Sequence, residues 1–138
     1  MRPLAAIVLS LVTFACASSH TATPSLRQQC EASYSSLWVA AQSAMVRLDA
    51  RVVSANQDAG VIHGRIAADI YGAPIELSAS IRRTPSMQPG TVEPVWVEVR
   101  TWDPSTDDPD PARLSVLKEV ARQYLELVGQ RAPCGSPM

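Results

Sequence analysis

Ile75-Glu76-Leu77-Ser78-Ala79-Ser80-Ile81-Arg82 is the stretch that decides the fold. Apolar and polar residues alternate at every position, which is the period of a β-strand with one face buried and the other in water. A strand of this kind needs neighbours with the same pattern and a second layer to cover its apolar face.

The neighbours lie on both sides of it in the chain. Upstream, Val61 to Asp69 reads as a strand with Ile62, Gly64 and Ile66 on one face and His63 and Arg65 on the other. Arg51 to Gln57, with Val52, Val53 and Ala55, precedes it across the turn Asn56-Gln57-Asp58-Ala59-Gly60, where Gly60 supplies a positive φ. Tyr71-Gly72-Ala73-Pro74 forms the next turn. Downstream, Thr84 to Thr91 holds Pro85, Pro89 and Gly90 and reads as a loop. The strand after it, Val92 to Trp102, sets Val95, Val97, Val99 and Thr101 against Trp96, Glu98, Arg100 and Trp102, with Pro94 at its edge or start.

Two amphipathic helices supply the covering layer. The first is capped by Ser33 and repeats Tyr34, Leu37, Trp38, Ala41, Ala44, Met45 and Leu48 at helical spacing. A short strand, Arg27 to Ala32, leads into it. The second follows the polar linker Asp103 to Pro111, with its three prolines and four aspartates. Asp110 is its N-cap and Pro111 its first residue; Leu114, Leu117, Val120, Ala121, Tyr124, Leu125 and Val128 form the apolar face, and Gly129 ends it. The fold expected is α+β: a two-layer sandwich in which an antiparallel meander of three to four strands carries two helices side by side on one face.

The N-terminus fixes the compartment. Arg2 precedes an apolar run of 11 residues, Leu4 to Phe14, far shorter than the roughly 18 to 20 a spanning helix needs, so it reads as a signal peptide. Thr13-Phe14-Ala15-Cys16 resembles the lipobox of bacterial lipoproteins, in which the cysteine becomes lipidated and N-terminal. It carries Thr and Phe where that pattern usually has Leu and a small residue. The alternative is Ala15-Cys16-Ala17, cleaved after Ala17 to release a soluble periplasmic or secreted protein. The organisation expected is signal peptide and lipobox over 1–16, a Ser/Thr/Ala/Pro tether over 17–26, and one α+β domain over 27–135. With lipid on Cys16 the domain hangs from the outer membrane on its periplasmic side.

Three cysteines are an odd number for an exported chain. Lipidated or removed, Cys16 leaves the pool, so Cys30 and Cys134 are expected to pair across the domain in an oxidising compartment; the alternative is two free thiols, one exposed and one buried.

From Cys30 to Gln130 the signals Tyr34-x-x-Leu37-Trp38 and Val52-Val53-x-x-x-x-Asp58-x-Gly60-x-Ile62-x-Gly64 lead into the polar-faced meander and the closing helix. In this pattern the chain resembles small bacterial envelope lipoproteins of unknown function with an α-β-β-β-α domain, including the helix-grip domains of BamC-like outer-membrane assembly lipoproteins. BamC-like proteins are longer and usually carry more than one such domain. The resemblance implies an accessory role in the envelope and brings no catalytic residues with it.

Composition and spacing narrow the chemistry. Without Arg2 the chain has eleven basic against thirteen acidic residues and no basic cluster longer than Arg82-Arg83, which argues against a nucleic-acid surface. His20 and His63 have no partner in the sequence for acid–base work or metal binding, and Asp103, Asp107, Asp108 and Asp110 lack the spacing of a calcium loop. No catalytic or cofactor constellation is expected, and no metal. The candidate surface is the sheet face opposite the helices, where Trp96, Trp102, Arg100, Arg82 and Arg65 project together with His63, Glu76 and Glu98. Tryptophan and arginine are the usual composition of an interface hot spot; alternatively, Trp96 and Trp102 cover strand edges or the Pro-rich loops. Another envelope protein bound at this face is the expected partner, and a small-molecule or peptide groove between helices and sheet is the alternative.

Overall fold

A computed structural model describes residues 23–68, 72–83 and 94–135; the stretches expected as signal peptide and lipobox, most of the expected tether, and the loop expected over Thr84 to Thr91 lie outside the described residues. Seven elements follow in order: β1 (Ser25–Cys30), α1 (Tyr34–Arg47), β2 (Ala50–Asn56), β3 (Val61–Ile66), β4 (Ile75–Arg83), β5 (Val95–Trp102) and α2 (Pro111–Gly129). The strands form one antiparallel sheet in the order β1-β5-β4-β3-β2.

The alternating stretch is the central strand of this sheet. Ile75, Leu77, Ala79 and Ile81 are buried, and Glu76, Ser78 and Ser80 face away from the helices. The meander from β2 to β5 is as expected, and the sheet has five strands because β1 adds itself beyond β5. That strand starts at Ser25, two residues before the expected boundary, and ends at Cys30. It pairs with β5 from Ser25↔Arg100 to Cys30↔Val95. Its pattern is hidden because Gln28 occupies a core position and is 3 % exposed.

Each helix begins at its expected cap. Ser36 N–H donates to the Ser33 hydroxyl at 3.1 Å, and Arg113 N–H donates to Asp110 Oδ1 at 2.7 Å. Both helices lie on one face of the sheet, α1 over β2, β3 and β4 and α2 over β5 and β1, and they pack against each other. The Tyr124 hydroxyl donates to the Ala41 carbonyl at 3.0 Å and joins them through the core. Gly64 lets α1 come close: a Cβ there would stand 2.9 Å from Met45 Sδ. Gly60 has the positive φ the turn requires, 70°.

Helix α2 ends at Gly129 as expected, with Gln130 capping it in ordinary helical backbone, φ −71° and ψ −20°. Gly129 also provides room, because a Cβ there would meet Gln28 Nε2 at 3.4 Å. One reading of the sequence is corrected: Asp103 is not part of a solvated linker but is 7 % exposed. It accepts from Ser105 N–H at 2.8 Å and from Arg113 Nε–H at 2.8 Å, while Arg113 Nη2 donates to the carbonyls of Ala73 and Pro74 at 3.0 and 3.2 Å. Chiefly the Ser105 hydroxyl bond, then its backbone bond and Arg113, hold the Asp103 carboxyl below the usual carboxylate range against the opposing effect of burial. One buried ion pair thus ties the start of α2 to the β3–β4 connection.

Candidate functional site

Cross-strand register arranges the side chains of the open sheet face in rows. One row runs Arg51, Arg65, Glu76, Trp102, the next Ser54, His63, Ser78, Arg100, Ser25. A third runs Asn56, Val61, Ser80, Glu98, Arg27, and the last Arg82, Trp96, Gln29. Every named candidate is on this face, and among the described elements both helices are on the other. Small serines on β4 floor the middle, and Trp96 and Trp102 rise at its two ends. Five arginines stand against two glutamates here, although the whole chain carries a formal charge of −1.

The tryptophans are half-buried, each beside a basic group. The Arg27 guanidinium lies 5.4 Å from the Trp96 ring centroid, and the His63 and Trp102 rings are 5.4 Å apart and tilted by 31°. These contacts pre-order the two half-buried indoles.

Sequence reasoning gave His63 no partner, and the sheet supplies two. Besides Trp102, its Nε2 lies 3.7 Å from Glu76 Oε2, and it makes no hydrogen bond although that atom is buried. Arg65 Nε donates to Glu76 Oε1 at 3.1 Å and its Nη2 to the same oxygen. The hydrogen bond from Arg65 first, then the charges of Arg65 and His63 and a bond from Trp102, hold the Glu76 carboxyl below its usual range against desolvation. A carboxylate kept ionised by a bound guanidinium is a poor general acid or base, and here it fixes neighbours in place. Arg100 Nε likewise donates to Glu98 Oε1 at 3.0 Å. Both glutamates of the face are therefore engaged within it, and the net character left to a visitor is cationic and aromatic. Lone-residue reasoning could not find the cluster because His63, Glu76 and Trp102 meet only through strand register.

Cys30 and Cys134 are brought together, with S–S 2.05 Å. Among the described residues no group of three or more His, Cys, Asp or Glu is placed to hold a metal ion, and no helix is long and apolar enough to cross a membrane. The space between helices and sheet is filled by side chains such as Leu37, Met45, Leu117 and Tyr124, all inaccessible to solvent. A cleft of about 880 Å³ opens instead at the end of the sandwich, lined by Glu31, Ser33, Tyr34, Arg83 and Val95 among others. In its wall the Arg83 guanidinium stacks 4.7 Å from the Tyr34 ring centroid, and the Tyr34 hydroxyl donates to the Gln57 carbonyl at 2.5 Å.

No protein-family model matches this chain, and no curated protein matches it in sequence.

Proposed function

We propose that this is an exported envelope protein without catalytic activity, anchored by lipid on Cys16 or released after Ala17, that docks an acidic segment of another envelope component on its open sheet face. The observation carrying this reading is the charge and composition of that face. Five arginines and two half-buried tryptophans share one surface, and both of its glutamates are occupied by Arg65 and Arg100. Charge complementarity then selects an acidic partner, and the two indoles give it apolar anchors. The Cys30–Cys134 disulfide supports export, since such bonds persist in oxidising compartments. The N-terminal pattern supports anchoring, and the likeness to BamC-like lipoproteins supports an accessory role.

The test is affinity capture from detergent-solubilised envelopes with three baits: the native chain, Trp96→Ala/Trp102→Ala, and Arg82→Glu/Arg100→Glu. The reading expects a stoichiometric partner retained by the native chain, released by moderate salt and lost from both variants while their circular dichroism is unchanged. A partner held equally by all three baits contradicts it. A second reading, a small-molecule or peptide module, draws on the cleft beside Tyr34 and Arg83; a small ligand co-purifying with the native chain and lost in Arg83→Ala favours it.

A further inference from the structure

His63 is the side chain of the open face whose bonding is incomplete. Its Nε2 is buried, makes no hydrogen bond and lies 3.7 Å from Glu76 Oε2. That gap is too long for a hydrogen bond but short enough for an ion pair once the ring carries a second proton. The other carboxylate oxygen, Oε1, already accepts from Arg65 Nε at 3.1 Å, so Oε2 is the one next to the ring. Beside it the Trp102 ring lies 5.4 Å away between centroids. The imidazole thus stands between an ionised carboxylate and one of the two indoles that anchor a visitor.

The charged groups around it come from four strands. Arg65 is on its own strand, Arg51 on β2, Glu76 on β4, and Glu98 and Arg100 on β5. Arg65 is bonded to Glu76 and Arg100 to Glu98, so each of these cations is offset by an anion, and Arg51 is exposed to water. Of these groups, Glu76 is the one within ion-pair reach of Nε2.

We propose that His63 regulates the open face by taking up a proton, pairing with Glu76 and so raising the affinity of the face for an acidic segment. The inference rests on the docking reading above. With the ring neutral, the face sets five arginines against two glutamates; the imidazolium adds one more positive charge beside the Trp102 anchor. Attraction to an acidic visitor grows with it, and a cation against the indole holds Trp102 more firmly. A histidine ring changes charge between about pH 5 and 8, a range in which the carboxylates of a partner stay ionised.

The protein, as processed by its cell, is titrated with a dye-labelled oligo-aspartate at about pH 5.5 and about pH 8 as the native chain, as His63→Gln and as Arg82→Glu/Arg100→Glu. The native chain should bind about threefold tighter, or more, at the acid value. His63→Gln should bind equally at both, as the native chain does at the higher pH. His20, the other histidine, is present in each chain and so cancels. In the free native protein the Trp102 indole N–H resonance, assigned through Trp102→Phe, should move in a step between about pH 5 and 8 that His63→Gln lacks. Native binding that does not change with pH, a change that persists in His63→Gln, or a Trp102 resonance that stays still overturns the inference and leaves the docking reading standing. Peptide bound at neither pH, or bound as well by Arg82→Glu/Arg100→Glu, overturns the docking reading and the inference with it.

Discussion

The two edges of the sheet differ in what covers them. β1 is bonded to β5 on its inner side, and on its outer side the C-terminal tail runs along it: Glu31 N–H donates to the Pro133 carbonyl at 2.8 Å and Gly135 N–H to the Gln29 carbonyl at 2.9 Å. The disulfide lies between those two bonds, joining residues 104 apart in sequence. β2 has β3 on one side and, among the described residues, no strand on the other. The contrast is instructive because it runs against strand propensity. β1 is Ser-Leu-Arg-Gln-Gln-Cys, a poor strand former, while β2 holds Val52 and Val53, among the best. The weak strand is the one that needs a covalent clip, and the strong strand holds its place with one edge free.

The largest effect should come from breaking the closed edge. Cys30→Ala/Cys134→Ala releases a loop of 104 residues, and urea unfolding should show a loss of about 4 to 5 kcal/mol. A loss below about 1 kcal/mol would mean that β1 holds without the clip. Next comes the ion pair on the same half of the molecule. Asp103→Ala removes the carboxylate to which the half-buried Arg113 Nε donates and should cost about 3 kcal/mol, whereas an equal truncation of exposed Asp108 should have a much smaller effect. The sign with pH follows from the lowered carboxyl. Asp103 stabilises the fold fully above its unfolded value near pH 4, and that share is lost as pH falls through the lower folded value. Acid melts should therefore fall less steeply below about pH 4 in Asp103→Asn than in the native chain; parallel curves would contradict the pairing. The smallest effect belongs to the open edge. Val53→Thr keeps β-branching at an exposed position and should change the stability of the protein by no more than about 0.5 kcal/mol.

Much of the architecture was legible because it is written in local periods. The alternation of Ile75 to Ile81, the caps Ser33 and Asp110 and the turn glycine Gly60 each act within a few residues, and each lies where the pattern puts it. What the sequence hid depends on residues far apart in the chain. β1 reads as a short strand, but its place beyond β5 and its start at Ser25 do not show, because Gln28 fills an apolar position and breaks the alternation. Asp103 looked solvated because Arg113 reaches it across the turn that starts α2. The Trp/Arg face was legible by strand parity alone. Its internal bonding was not, since Arg65 on Glu76 and His63 beside Trp102 are consequences of register that no single strand reveals. The valines of β2 read as ordinary strand residues, and their exposure follows only from the place of β2 at the end of the sheet.

Amide hydrogen exchange of the full chain at two protein concentrations, one tenfold below the other, tests the contrast between the edges most directly. The account predicts that the amides of Gln29 to Glu31 and Gly135 exchange slowly at both concentrations, because the tail and disulfide cover that edge within one molecule. The outward amides of β2 should exchange fast at both concentrations, because among the described residues no strand pairs with that edge. Outward β2 amides as slow as those of β1, or β1 amides that exchange faster than those of β2, would contradict it.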